Sequence, residues 1–141
     1  MGKTLRFSDW EPRLAQYILD HEWTQFRYGR FDCCLFAADA VKEICGVDLM
    51  AEERDFYRSA RQARSVLSFI GGLERAVEFV TIRAGFVEVA ILFAQRGDLV
   101  MARKPRPVCG IVDLSGVARF PSTDGLVRLP LRECARAWRI G

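Results

Sequence analysis

Histidine is nearly absent from this 141-residue chain, where His21 stands alone. One imidazole cannot complete a zinc-finger ligand set, and it leaves a single candidate for the base that most thiol hydrolases require. No C-x-x-C pair occurs either. The five cysteines, Cys33, Cys34, Cys45, Cys109 and Cys134, form an odd set without the spacing of a disulfide framework, so reduced thiols that behave as small buried hydrophobes are expected. No apolar run reaches the length of about 18 residues that a membrane-spanning helix needs. The opening residues Met1-Gly2-Lys3-Thr4-Leu5-Arg6 lack the apolar core of a secretory signal, so synthesis and folding in the cytoplasm, without secretion by a signal peptide, are expected. Internal repeats, low-complexity segments and visible linkers are missing as well.

Lysine is scarce. Of the 21 basic residues only Lys3, Lys42 and Lys104 are lysine, and the net charge is +3. The arginines are spread along the chain. Arg54, Arg58, Arg61 and Arg64 recur at helical spacing, but Glu52, Glu53 and Asp55 sit among them, which describes a solvated, ion-paired face. No aromatic-rich RNA motif or helix-turn-helix pattern accompanies them, so no nucleic-acid partner is expected.

What is present is apolar residue content: half of the chain is hydrophobic, enough at this length to bury one core. A single domain over residues 1–141 is expected. The first half reads as helices. One begins near Pro12 behind Ser8 or Asp9 as cap and carries Leu14, Tyr17 and Ile18 on one face, with His21 near its end. A polar and aromatic loop, Trp23 to Phe31, leads to a second helix that starts at Asp32 or Cys33 and stops at Gly46. That helix is apolar around most of its circumference, which predicts a central buried position. Ser59-Ala60-Arg61-Gln62 resembles a capping box opening a third helix, and Gly71-Gly72 separates it from a fourth, Leu73 to about Arg83. After Arg96 the pattern changes to short strands: Leu99–Ala102, Val108–Leu114, Val117–Phe120, Leu126–Leu129 behind the turn Thr123-Asp124-Gly125, and Ala137–Ile140. Helices followed by an antiparallel meander define an α+β domain.

The segment with chemical potential is Tyr28-Gly29-Arg30-Phe31-Asp32-Cys33-Cys34-Leu35-Phe36. It delivers two thiols to the first turn of an apolar helix, where free backbone N–H groups and the helix dipole favour a thiolate. Cys33 is thus a candidate nucleophile, and Asp32 reads as the helix cap. Cys34 is the weaker candidate of the two, and His21 reads as a surface or helix-end histidine. Trp10, Trp23 and Trp138 with Phe26, Phe31 and Phe36 are too many for incidental surface; most belong to a core, while Trp23 and Phe26 are placed to line a groove or an interface.

Asp32-Cys33-Cys34-Leu35-Phe36, Gly97-Asp98-Leu99-Val100 and Cys109-Gly110-Ile111-Val112 follow one another in an order that resembles the NlpC-type, papain-like cell-wall peptidases. Their signature is Asp-Cys-Ser-Gly-Phe, then Gly-Asp-Leu-Val, then His-Val-Gly-Ile-Tyr. The chain looks like a short, divergent phage or prophage tail branch of that family. The resemblance implies a papain-like α+β fold, N-terminal helices packed on a C-terminal antiparallel sheet, with Cys33 at the nucleophile. It puts Val108 at the position of the catalytic histidine, facing Cys33, and Arg119 at the third, orienting position. Cys109, its neighbour, is then expected to point away, which disfavours a disulfide with Cys33 or a shared metal. Valine cannot exchange a proton and arginine stays protonated. The implied function is a tail or tail-tip structural protein with a degenerate peptidase site; the alternative is a working cysteine peptidase or amidase that cleaves peptidoglycan peptides through Cys33. Other tail proteins are the implied partners, with peptidoglycan as a second, and the implied location is the host cytoplasm before assembly and the virion tail afterwards. No cofactor or metal is implied.

Overall fold

A computed structural model describes residues 5–141; Met1 to Thr4, part of the stretch read above as lacking a secretory core, lie outside the described residues. Four helices, α1 (Trp10–His21), α2 (Cys33–Cys45), α3 (Ala60–Ile70) and α4 (Leu73–Ala84), precede all strands of a six-stranded antiparallel sheet. The strands are β1 (Val87–Val89), β2 (Leu99–Ala102), β3 (Val108–Val112), β4 (Ala118–Ser122), β5 (Gly125–Leu129) and β6 (Arg136–Arg139), in the order β1-β6-β2-β3-β4-β5. The α+β class expected from the sequence is therefore present. Five of the six strands fall where the apolar runs placed them. β1 is the exception, a three-residue edge strand beside β6 that is too short to leave a periodic signal. Among the described residues no helix is long and apolar enough to cross a membrane.

α2 is the centre of the molecule. Phe36, Ala37, Ala40, Val41 and Ile44 are each at most 2% exposed. They meet Leu14, Tyr17 and Ile18 of α1 on one side and Leu99, Met101, Cys109 and Ile111 of the sheet on the other. Burial of each large side chain in this set contributes about 1.5–3 kcal/mol. Gly46, left-handed at φ 80°, ends α2, and its N–H donates to the carbonyl of Lys42. α3 opens as its sequence suggests: the Ser59 hydroxyl accepts from the Gln62 amide, while the Gln62 side chain reaches back to the amide of Arg58.

The second face of the sheet is also covered. Val100, Ala102, Val112, Ala118, Phe120 and Ala137 alternate with the helix-facing residues and pack under Cys134, Ile91 and Leu131, which belong to or flank two 3-10 turns at Ile91–Phe93 and Leu131–Glu133. Both faces of β2 and β3 are therefore dry. A carboxylate ties the ends of the chain together: fully buried Asp98 accepts from Arg6, from Arg139, and from the amides of Gln95 and Ile140, while Arg6 Nε donates to the Ile140 carbonyl.

Candidate functional site

Three thiols converge where α2 begins. Cys33 and Cys34 occupy its first turn, and Cys109 projects from β3 toward them, so that the three Sγ atoms lie within 4.8 Å of one another. The sulfurs of Cys34 and Cys109 are 4.0 Å apart. Cys109 is buried and the two helix cysteines are half-buried.

The helix start is fixed by Asp32, itself 3% exposed. One carboxylate oxygen accepts from the Leu35 amide at 2.9 Å, which is the expected N-cap bond. The other accepts from the Gly29 amide at 3.0 Å and the Tyr57 hydroxyl at 2.7 Å. Gly29 adopts φ +77°, and a Cβ on it would meet the Tyr57 carbonyl at 2.4 Å, so the loop can only close here without a side chain. Burial pushes the Asp32 carboxyl above its ordinary value, against the lowering effect of its three donors. Tyr57 was not legible from the sequence as part of this site; it lies 25 residues away in an irregular segment and leaves no motif.

Hydrogen bonding and burial act on the three thiols in opposite directions. Cys33 is held well below the usual thiol range by hydrogen bonding from Cys109 and Cys34, which outweighs desolvation, and the backbone amides of the same two residues add to this. Cys34 moves the other way: its contact with Cys109 lowers it, but hydrogen bonding to Cys33, burial and the nearby charges of Cys33 and Asp32 prevail. Cys109 rises because it donates to Cys33 and Cys34 and is buried. Of the three, Cys33 is the thiol whose ionised form its neighbours favour.

The residue facing Cys33 is not the expected one. Val108 packs on the far side of the sheet with Val100, Ala102 and Phe120, while Cys109 takes the helix-facing position. The expectation that Val108 faces the thiol and Cys109 points away is thus corrected by one step of the strand, which exchanges faces. Gly110 explains how closely β3 approaches β4: a Cβ there would stand 2.1 Å from the Arg119 carbonyl and 2.6 Å from the Phe120 ring. Arg119 does lie on β4, opposite Ile111, but its guanidinium turns to Glu22 and, at 3.4 Å, to Asp113. His21 is occupied elsewhere. Its Nδ1 lies 2.8 Å from the Tyr17 carbonyl, and its ring stacks on Phe31 with centroids 5.2 Å apart. Among the described residues no hydrogen bond joins any imidazole to a thiol.

Chemically, the site offers a thiol whose ionised form is favoured and two further sulfur donors, and among the described residues no imidazole is hydrogen-bonded to any of them. Trp23, 82% exposed, lies in the loop that follows α1, next to the β4–β5 hairpin: a Cβ at Gly125 would come within 3.2 Å of the Trp23 Cα. No curated protein matches the chain. A family profile described as a domain of unknown function, DUF6950, matches residues 5–140. By that match, which takes in the thiol cluster and every strand of the sheet, the chain belongs to the DUF6950 family.

Proposed function

We propose that this protein is a structural or assembly component of a phage-like tail, built on an NlpC-type, papain-like scaffold whose peptidase site no longer hydrolyses. The observation that carries the reading is the partner of Cys33: the strand that would supply the base presents the sulfur of Cys109, and the lone imidazole is bound to Tyr17 and Phe31. Thiol hydrolysis needs a group that shares the thiol proton and then delivers it to the departing amine. General acid–base catalysis of this kind contributes about 10²–10⁴-fold in rate, and Arg119, which stays protonated and turns to Glu22 and Asp113, cannot act as the base. Several features support the scaffold: a thiol at the N-terminus of the buried helix, the antiparallel sheet after it, and Gly97-Asp98-Leu99-Val100 leading into β2. The tail assignment rests on the resemblance of these motifs to a tail-associated branch, and on an exposed loop tryptophan suited to an interface.

Two measurements test it. Purified protein incubated with muropeptides is expected to release product no faster than the Cys33→Ala variant. Capture of co-expressed phage tail proteins is expected to survive Cys33→Ala and to weaken severalfold in Trp23→Ala, since an interface aromatic often carries about 1 kcal/mol or more. Muropeptide cleavage that disappears in Cys33→Ala overturns the reading in favour of a working peptidase.

A further inference from the structure

We infer that Cys33, Cys34 and Cys109 form a binding site for a thiophilic divalent cation of the zinc class, held by three sulfurs with its fourth position reachable from solvent. The assignment rests on sulfur geometry alone and not on the tail reading, so either can fail without the other. Zinc–thiolate bonds of about 2.3 Å place the sulfurs of a tetrahedral site about 3.8 Å apart. Here the three sulfurs lie within 4.8 Å and one pair is at 4.0 Å, so side-chain rotations that close each edge by about 1 Å or less complete the set. Oxygen-preferring cations are disfavoured, because the cluster offers sulfur and no carboxylate: both oxygens of Asp32 are already engaged by Leu35, Gly29 and Tyr57.

The setting suits a bound cation in three respects. Two ligands come from one helix turn and the third from a central strand, so the chelate is anchored on rigid elements. Cys109 is buried, which gives the site a dry floor, and Cys33 and Cys34 are half-buried residues nearer the surface. Three thiolates on a divalent ion carry one net negative charge, and the N-terminus of α2 favours a negative group at that point. Coordination forms three metal–sulfur bonds, and the thiol protons pass to the buffer; no electron changes hands.

The experiment uses the whole protein, kept reduced with a phosphine. Cd²⁺ is the spectroscopic probe and Zn²⁺ its competitor. One Cd²⁺ per chain is expected, with a thiolate-to-cadmium charge-transfer absorption that Zn²⁺ displaces. Zn²⁺ is also expected to slow alkylation of Cys33 and Cys34 at least about tenfold, with the rate restored by a chelator. Cys109→Ser should weaken binding by more than the about 10–100-fold that loss of an outer-shell partner produces, and Cys134→Ser should leave it unchanged. No charge-transfer band at micromolar Cd²⁺, or equal loss in Cys134→Ser and Cys109→Ser, overturns the site. Should Cys109→Ser fail to fold, alkylation of the unsubstituted protein decides: rates of Cys33 and Cys34 modification that ignore Zn²⁺ refute the inference.

Discussion

Replacing Asp32 by alanine removes one side chain and leaves three donors without their acceptor. The Leu35 amide loses its cap, a change that costs about 1 kcal/mol in comparable helices. The Tyr57 hydroxyl is inside the protein and cannot turn to water, so its unpaired state costs about 1–3 kcal/mol. The Gly29 amide is only half-buried and recovers part of its bond from solvent. A total loss of about 2–4 kcal/mol follows, a large share of the stability of an ordinary domain. Urea unfolding followed by tryptophan fluorescence reads it as a midpoint lowered by about 1–2 M at unchanged slope. Asp32→Asn is a sharper control. Its single oxygen can serve either Leu35 or the Gly29–Tyr57 pair but not both, so its loss falls between wild type and alanine. Tyr57→Phe combined with Asp32→Ala completes a cycle whose coupling is expected to reach about 1 kcal/mol or more, because the bond is charge-assisted. An Asp32→Ala variant within about 1 kcal/mol of wild type, or a coupling near zero, refutes the claim that this carboxylate organises the helix start.

Gly110→Ala is expected to destabilise by more than the about 1–3 kcal/mol usual for overpacking, because the added carbon meets the Arg119 backbone and not a side chain that can swing away; thermal unfolding monitored by circular dichroism measures it. Alkaline stability is set partly by buried thiols. Burial pushes Cys134 up to about 11 and raises Cys45 as well, so both ionise more readily once unfolded. Their stabilising share is therefore complete below the ordinary thiol range, about 8.5, and is lost as pH rises toward the folded value. The melting-temperature difference between the wild type and Cys134→Val should hold steady up to about pH 8.5 and then shift against the wild type as pH rises further. A difference that shifts in the wild type's favour over that interval contradicts the sign.

The helices and most strands were legible because their signals are local. Gly46 after a run of apolar residues, Ser59 three residues before Gln62, and Thr123-Asp124-Gly125 between two apolar runs each specify a boundary by backbone chemistry alone. The phase of β3 was not legible. In a strand with one wet face, polar residues mark the side that points outward. Val108 to Val112 has no such mark, since the helices cover one face and the 3-10 turns the other. Motif order then had to choose between Val108 and Cys109 as the residue facing Cys33, and a motif written in one dimension does not carry the pleat. Tyr57 was hidden for a different reason: its bond to Asp32 joins distant parts of the chain, and nothing in the residues around it records the partner.

The Asp98 clasp makes the segments around Arg6 and Arg139 one cooperative unit. Arg6 and Arg139 bind the same carboxylate, and Arg6 also holds the carbonyl of Ile140, so releasing either terminal segment strips partners from the other. Local opening, which elsewhere can start independently in segments far apart in sequence, is here coupled between the stretches around Arg6 and Arg139. It leaves the fully buried Asp98 with fewer donors from its first step, and only the loss of both arginines strips that carboxylate of its countercharge.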